Sequence, residues 1–157
     1  MYTPIEPKFE YALSIRVTLG KATMLRGTPM GQDRGAVYVA EGDFSGPNIS
    51  GRVVPQSGGD FALVRPDGLL DFDARYLLET DDGTPIYMQN RGFRWASPEV
   101  MKAQAERRPV AFSQYYMRVT PRFECPAGKH DWLMRYVFVG VAEKTPEGNV
   151  IHYWKVL

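Results

Sequence analysis

The chain is poor in several things. It has a single cysteine, Cys125, in 157 residues, so no internal disulfide is possible. Cys125 falls in an expected turn beside Pro126. A nucleophilic thiol would need a neighbouring base, so a plain loop thiol is the expected role. There are two histidines, His130 and His152, far apart and without a third ligand at useful spacing. No zinc or non-haem iron site is expected. Charge of one sign is also missing: nineteen basic and eighteen acidic residues leave a net charge of +1. That argues against a nucleic-acid or membrane-surface partner, which usually selects a basic bias. No apolar run reaches the length of a membrane-spanning helix. The first residues, Met1 to Leu13, lack the charged-then-apolar pattern of a signal segment. A cytoplasmic protein is the resulting expectation.

Familiar catalytic motifs are absent too. Gln56-Ser57-Gly58-Gly59-Asp60 is glycine-rich, but no Lys-Ser/Thr follows and no helix opens there, so it fails as a phosphate loop. It reads as a tight turn. No serine sits in a nucleophile elbow, and no dinucleotide fingerprint occurs. No cofactor is expected.

What the chain does have is aromatic residues, at 13%, with fifteen glycines and twelve prolines. Aromatic and β-branched enrichment favours sheet. Period-two alternation recurs along the chain. Phe9, Tyr11, Leu13, Ile15 and Val17 share one face of a first strand. Leu70, Phe72, Ala74, Tyr76 and Leu78 share one face of a strand over Leu69 to Thr80, with Asp71, Asp73, Arg75 and Glu79 opposite. Asp81-Asp82-Gly83 is a hairpin turn, and Thr84 to Arg94 is its partner. Gln114 to Glu124 alternates polar and apolar. A turn at Cys125 to Asp131 returns it into Trp132 to Val141, which is apolar on nearly every position and is expected to be covered on both sides. Ser97-Pro98-Glu99 opens the one convincing helix, to about Arg107.

About nine strands and one short helix, in a length suited to a single domain over 1–157, predict an all-β chain: one antiparallel barrel, with the helix over one mouth. A barrel is favoured over an open sheet because it removes exposed edges.

Gly51-Arg52-Val53-Val54-Pro55, Gly58-Gly59-Asp60-Phe61, Val64-Arg65-Pro66-Asp67-Gly68, Asp73-Ala74-Arg75-Tyr76, Ile86 to Gly92, Tyr116 to Glu124, Trp132-Leu133 and Val139-Gly140 form an ordered set. Together they resemble the domain-of-unknown-function 3237 family. Phe61 stands where family members often have Trp, and Cys125 where Thr is common. The resemblance implies a lipocalin-like β-barrel with an interior cavity, and no agreed activity.

The charged residues inside strands are the candidates for chemistry. Asp73 is expected as general base, Arg118 as holder of an anionic oxygen and Tyr116 as its neighbouring hydrogen-bond donor. Arg75, Tyr87, Asn90, Arg91, Asp60 and Glu124 are expected to bind the ligand, Glu124 from the rim. Tyr11, Tyr38, Phe72, Tyr76, Tyr87, Tyr116, Phe138 and Trp154 are candidates for an aromatic lining. Alternation leaves open which face is inside, and any one of these charges fits a solvated outer surface somewhat better than the interior. With no metal or nucleophile constellation, the expected function is a cofactor-independent isomerase, cyclase or lyase acting on an aromatic or polyketide-like oxo compound. The alternative is a non-catalytic barrel that binds a small apolar carboxylate. A third reading is an interaction module, with the Trp132 to Val141 strand at a homo-oligomer interface.

Overall fold

A computed structural model describes residues 1–157. The strands are β1 (Phe9–Leu19), β2 (Thr23–Leu25), β3 (Asp33–Gly46), β4 (Ile49–Val53), β5 (Gly59–Asp60), β6 (Leu63–Val64), β7 (Leu70–Thr80), β8 (Pro85–Ala96), β9 (Tyr115–Glu124), β10 (Phe138–Lys144) and β11 (Gly148–Val156). The one α-helix, α1 (Pro98–Ala105), joins β8 to β9. Every pairing is antiparallel, and the sheet runs β1-β11-β10-β9-β8-β7-β4-β3. β1 then pairs with β3, from Ser14 opposite Ser45 to Leu19 opposite Val39. That pairing closes the ring. β4, β5 and β6 all lie between β3 and β7 and behave as one interrupted strand. The result is an eight-stave barrel, wide enough for its interior to be filled by side chains or to hold one small ligand.

The apolar face of each strand is the inner one. On β7 the buried residues are Phe72, Tyr76, Leu78 and Thr80; on β9 they are Tyr115, Met117, Val119, Pro121 and Phe123. The end of the barrel where β1 begins is packed solid. Leu13, Ile15, Phe44, Leu78, Ile86, Met88 and Phe138 are almost fully buried there. Phe123 meets the Phe138 ring edge-on at 5.4 Å.

Helix α1 starts where Ser97 accepts a hydrogen bond from the Val100 amide at 3.3 Å. Pro98 fills the first turn, and a positive φ of 56° at Arg107 blocks continuation. The helix lies at the opposite end of the barrel, with Ala103 buried and Val100 packed against the core.

Some expectations change. The apolar run from Trp132 is not all strand: Asp131–Met134 is a 3₁₀ turn and β10 begins at Phe138. Phe138, Gly140 and Ala142 face in, while Val139 and Val141 are half-buried on the outer wall, so this strand is covered on one side. β3 runs through Gly42 to Gly46, paired with β1 and β4. The β2 strand carries no alternation in its three exposed residues, which is why its sequence reads as loop. No helix is long and apolar enough to cross a membrane.

Gly58 shows how tightly the interrupted stave is laid against its neighbours. A Cβ there would collide with the Arg75 carbonyl oxygen. Gly58→Ala should therefore lower stability by about 1–3 kcal/mol through forced backbone movement, read as a lower urea midpoint with an unchanged slope. An unchanged midpoint would mean that β7 yields freely at this point.

Candidate functional site

The same alternation that buries the apolar face places a few polar residues inside. On β8 the inward positions are Ile86, Met88, Asn90, Gly92, Arg94 and Ala96, so Asn90 and Arg94 interrupt an otherwise apolar row. Lys144 follows Phe138, Gly140 and Ala142 on the inner side of β10, and Asn149 precedes Ile151 and Tyr153 on β11. Tyr76 enters from β7 and Asp60 from β5. These residues gather toward the end of the barrel that carries α1. There Asp60, Phe72, Tyr76, Asn90, Met117 and Asn149 help line a cavity of about 50 Å³.

Many of these polar atoms have no protein partner. The hydroxyls of Tyr76 and Tyr153, Oδ1 of Asn90 and Asn149, and Nε of Arg94 are all inaccessible and unpaired. Both amide atoms of Gln104 are in the same condition; Gln104 shares a face of α1 with Val100. An unsatisfied buried polar atom costs roughly 1–3 kcal/mol, so a cluster of them in one place calls for a ligand or ordered solvent. None of the chain's ion pairs includes Asp60, Arg94 or Lys144.

Asp60 is held by one direct hydrogen bond, its Oδ1 accepting from the Asp73 amide at 3.0 Å. Burial pushes its pKa up to about 6, against the opposing pull of that amide and of Lys144 and Arg94. Arg94 is lowered by burial. Lys144 stands at the mouth as an exposed residue, yet burial of its ammonium, with Arg94 near it, brings its pKa down to about 8. Its access to water tempers that shift. Burial raises both Tyr76 and Tyr153, which stay neutral. The site thus holds an acid that changes charge near neutrality, a permanent cation, a labile cation and neutral hydroxyl and amide groups. That set can transfer a proton and hold an oxygen in the same small space.

The residues expected from sequence divide between the two walls. Asp60 and Asn90 face the interior. Asp73, Arg75, Tyr87, Arg91, Tyr116, Arg118 and Glu124 lie instead on the outer face, because they occupy the polar side of each alternating strand. Asp73 is bonded by Arg75 at 3.1 Å and by Gln89 at 3.0 Å, and the Arg75 guanidinium holds its carboxyl below the usual range. Arg118 donates to the Met117 carbonyl at 3.0 Å and lies over the Phe112 and Tyr116 rings at 5.6 and 5.0 Å. It meets neither Asp71 nor Asp73. Arg91 is 4.0 Å from Asp71. Of the expected aromatic lining, Phe72, Tyr76 and Phe138 are inside, whereas Tyr11, Tyr38, Tyr87, Tyr116 and Trp154 are on the outer wall. Arg94, Lys144, Asn149 and Gln104 were not singled out from sequence. The signal for the first three was a polar residue at an apolar position of the alternation, rather than a charge within the polar series.

His130 is buried elsewhere, with Nε2 3.0 Å from Asp82 in the β7–β8 turn. No group of three His, Cys, Asp or Glu side chains is arranged to hold a metal ion. A larger groove, about 400 Å³, lies outside the packed end between Tyr11, Trp132 and Tyr136. Its Lys155 is already paired with Glu10 at 2.8 Å, and it contains no buried unpartnered polar atom.

Fold and interior define the class: an antiparallel β-barrel, packed solid at one end and polar inside at the other. The family model described as "Protein of unknown function (DUF3237)" matches residues 7–156, and the chain belongs to that family. A UPF0311 protein of Rhodopseudomonas palustris is 34% identical over 157 residues, covering 100% of both chains. A crystal structure from that organism superposes with a TM-score of 0.91 at 34% identity, over 99% of this chain and 100% of the other. A structure from Acinetobacter baumannii described as a beta-barrel like protein gives a TM-score of 0.84 at 31% identity, covering 100% of both chains. A hydroalkoxylation enzyme of Penicillium herquei is 25% identical over 154 residues, 98% of this chain and 86% of that protein.

The raised pKa of Asp60 has a consequence for stability. A carboxyl whose folded pKa lies near 6, above the unfolded ~3.9, contributes stability below about pH 4 that is lost as pH rises through 6. Asp60→Asn should match wild type in stability near pH 4 and exceed it at pH 7.5 by roughly 1–2 kcal/mol, read from urea titrations at both values. A pH-independent difference would show that burial does not strain the carboxylate.

Proposed function

We propose that the barrel interior is the active site of a cofactor-independent enzyme that moves a proton on a small oxo compound, with isomerisation or cyclisation as the reaction class. One observation carries this: a titratable acid and several unpartnered polar atoms share the inner wall of an otherwise apolar barrel. Asp60 is the proton-transfer group, since its pKa near 6 lets it give or take a proton at neutral pH. Tyr76 and Asn90 orient the substrate through their free polar atoms, and Phe72 and Met117 form apolar walls. The cavity admits the reacting end of a substrate; the remainder lies at the mouth beneath α1.

The Penicillium relative, by its name, adds a hydroxyl across a carbon–carbon double bond. That reaction forms one C–O bond and one C–H bond, and the hydroxyl proton balances the new C–H. It needs an acid, a base and fixed geometry, which this interior supplies. An aromatic or polyketide-like oxo compound bearing a hydroxyl and an alkene is the corresponding substrate class here.

The test is a panel of hydroxy-enones and aromatic ketones in D₂O, with carbon-bound deuterium and ring closure followed by NMR. Asp60→Asn should reduce the rate on any turned-over member by about 10²–10⁴-fold. Equal rates for mutant and wild type would remove Asp60 from the chemistry. The second reading, a non-catalytic carrier of a small apolar carboxylate, is favoured by the two cations beside one acid. It is the correct one if compounds bind to wild type without any exchange or conversion.

A further inference from the structure

We infer that the α1 end of the barrel, between Arg94 and Lys144 and next to the cavity wall at Met117 and Asn149, is an oxyanion subsite that takes the carboxylate, phenolate or enolate oxygen of a ligand monoanion. The inference rests on the interior being the ligand site and names the class of ligand it accepts.

Three adjacent strands build this end. Arg94 on β8 is opposite Met117 on β9, and Ala96 is opposite Tyr115. Tyr115 points inward, and its hydroxyl accepts a hydrogen bond from the Lys144 amide of β10 at 3.0 Å. That bond ties the end of β10 to β9 beside Arg94. The two cations therefore flank Tyr115 on one side of the barrel mouth.

The charge balance there is unequal. The inward-facing titratable groups are Asp60, Tyr76, Tyr115, Tyr153, Arg94 and Lys144. Burial keeps Tyr76 and Tyr153 neutral. Asp60 is the sole carboxylate, its charge is disfavoured by burial, and it already accepts from the Asp73 amide. Two cations thus face at most one weakly held negative charge and form no ion pair with it. Arginine cannot escape by losing its proton, so Arg94, with its Nε inaccessible and unpartnered, is a fixed positive charge awaiting an acceptor. A buried charge without a partner is costly. An anionic oxygen relieves that cost through charge-assisted hydrogen bonds, and Arg is suited to grip a planar two-oxygen group. Lys144, reachable from solvent, supplies the second contact and can meet the anion as it enters.

The occupant is therefore a small planar acid or stabilised enolate with an apolar body directed at Phe72 and Met117. A neutral molecule of the same shape leaves both cations unanswered. Within the proposed reaction, the subsite holds the oxygen on which negative charge resides, while Asp60 works on the adjoining carbon.

The experiment is calorimetric titration of the full chain with two acids, acetate and benzoate, and their neutral isosteres, acetamide and benzamide. Binding is located by the NMR shifts of the Asn90 and Asn149 side-chain amides. At least one acid should bind about tenfold or more tightly than its amide, as expected for a charge-assisted contact, and should shift those amides. Lys144→Gln, at the solvent-exposed mouth, should lose most of this preference while remaining folded. Arg94→Gln should abolish it, and Arg94→Lys should restore only part. The inference is overturned if acids bind no better than amides, or if the preference survives both Lys144→Gln and Arg94→Gln. Asp60→Asn separates this from the catalytic reading: it should not weaken acid binding. Acid selectivity without proton transfer would sink the catalysis and leave the subsite. Proton transfer lost in Asp60→Asn without acid selectivity would do the reverse.

Discussion

Closure of the sheet through the β1–β3 pairing is the constraint on which the rest depends. A strand presents successive side chains to opposite faces. In an open sheet both faces could be covered or exposed in many ways. Once Ser14 to Leu19 zip against Val39 to Ser45, one face of every strand becomes interior and the other exterior. Each residue then has one of two environments, set by whether its position is odd or even. Asp73 and Asn90 lie near each other on paired strands, yet the first meets solvent and Arg75 while the second is buried.

Within that enclosure, packing is uneven, and the unevenness makes the site. At one end Leu13, Ile15, Phe44, Ile86 and Phe138 fill the barrel. At the other, Asp60, Asn90, Arg94, Lys144 and Asn149 replace apolar residues in the inner rows, and α1 lies over the opening. Such substitutions sacrifice stability, since buried polar atoms without partners oppose folding. The surplus of stability lies in the packed end, and the chemical potential lies in the loosened one. The interrupted stave belongs to the same arrangement. Gly58 brings the chain close against β7, and two residues later Asp60 is set on the inner wall, its carboxylate steadied by the Asp73 amide.

The outer wall has an order of its own. Its ion pairs, Arg16 with Asp43, Arg52 with Glu79 and Arg75 with Asp73, join cross-strand neighbours or residues two apart on one strand. Exposed pairs of this kind are worth little individually. They keep the exterior polar and solvated along strands long enough to risk edge-like association. The stacked Trp95 and Tyr116 rings, 5.4 Å apart, with Arg118 beside them, belong to this outer surface.

Strand content, the β7–β8 hairpin, the start of α1 and the barrel itself were legible in the sequence, because alternation and turn chemistry are local properties. Ser97-Pro98-Glu99 caps a helix wherever it occurs, and Leu70 to Leu78 is amphipathic in any sheet. Alternation left open which face turns inward; ring closure settled it with the apolar faces inside. The site was less legible. The conspicuous charges, Asp73 and Arg118, sit on the polar series and so turn outward, whereas Arg94 and Lys144 are inconspicuous members of surface-like segments whose inward direction follows from counting along β8 and β10. Asp60 was named as a ligand contact, but the glycine-rich turn that carries it gave no sign of a proton-transfer role. The sequence by itself determined which residues share a face. Only the tertiary structure decided which polar residues from six separate elements meet, because ring closure, register and the stave break at Gly58 are set by pairings between residues far apart in the chain.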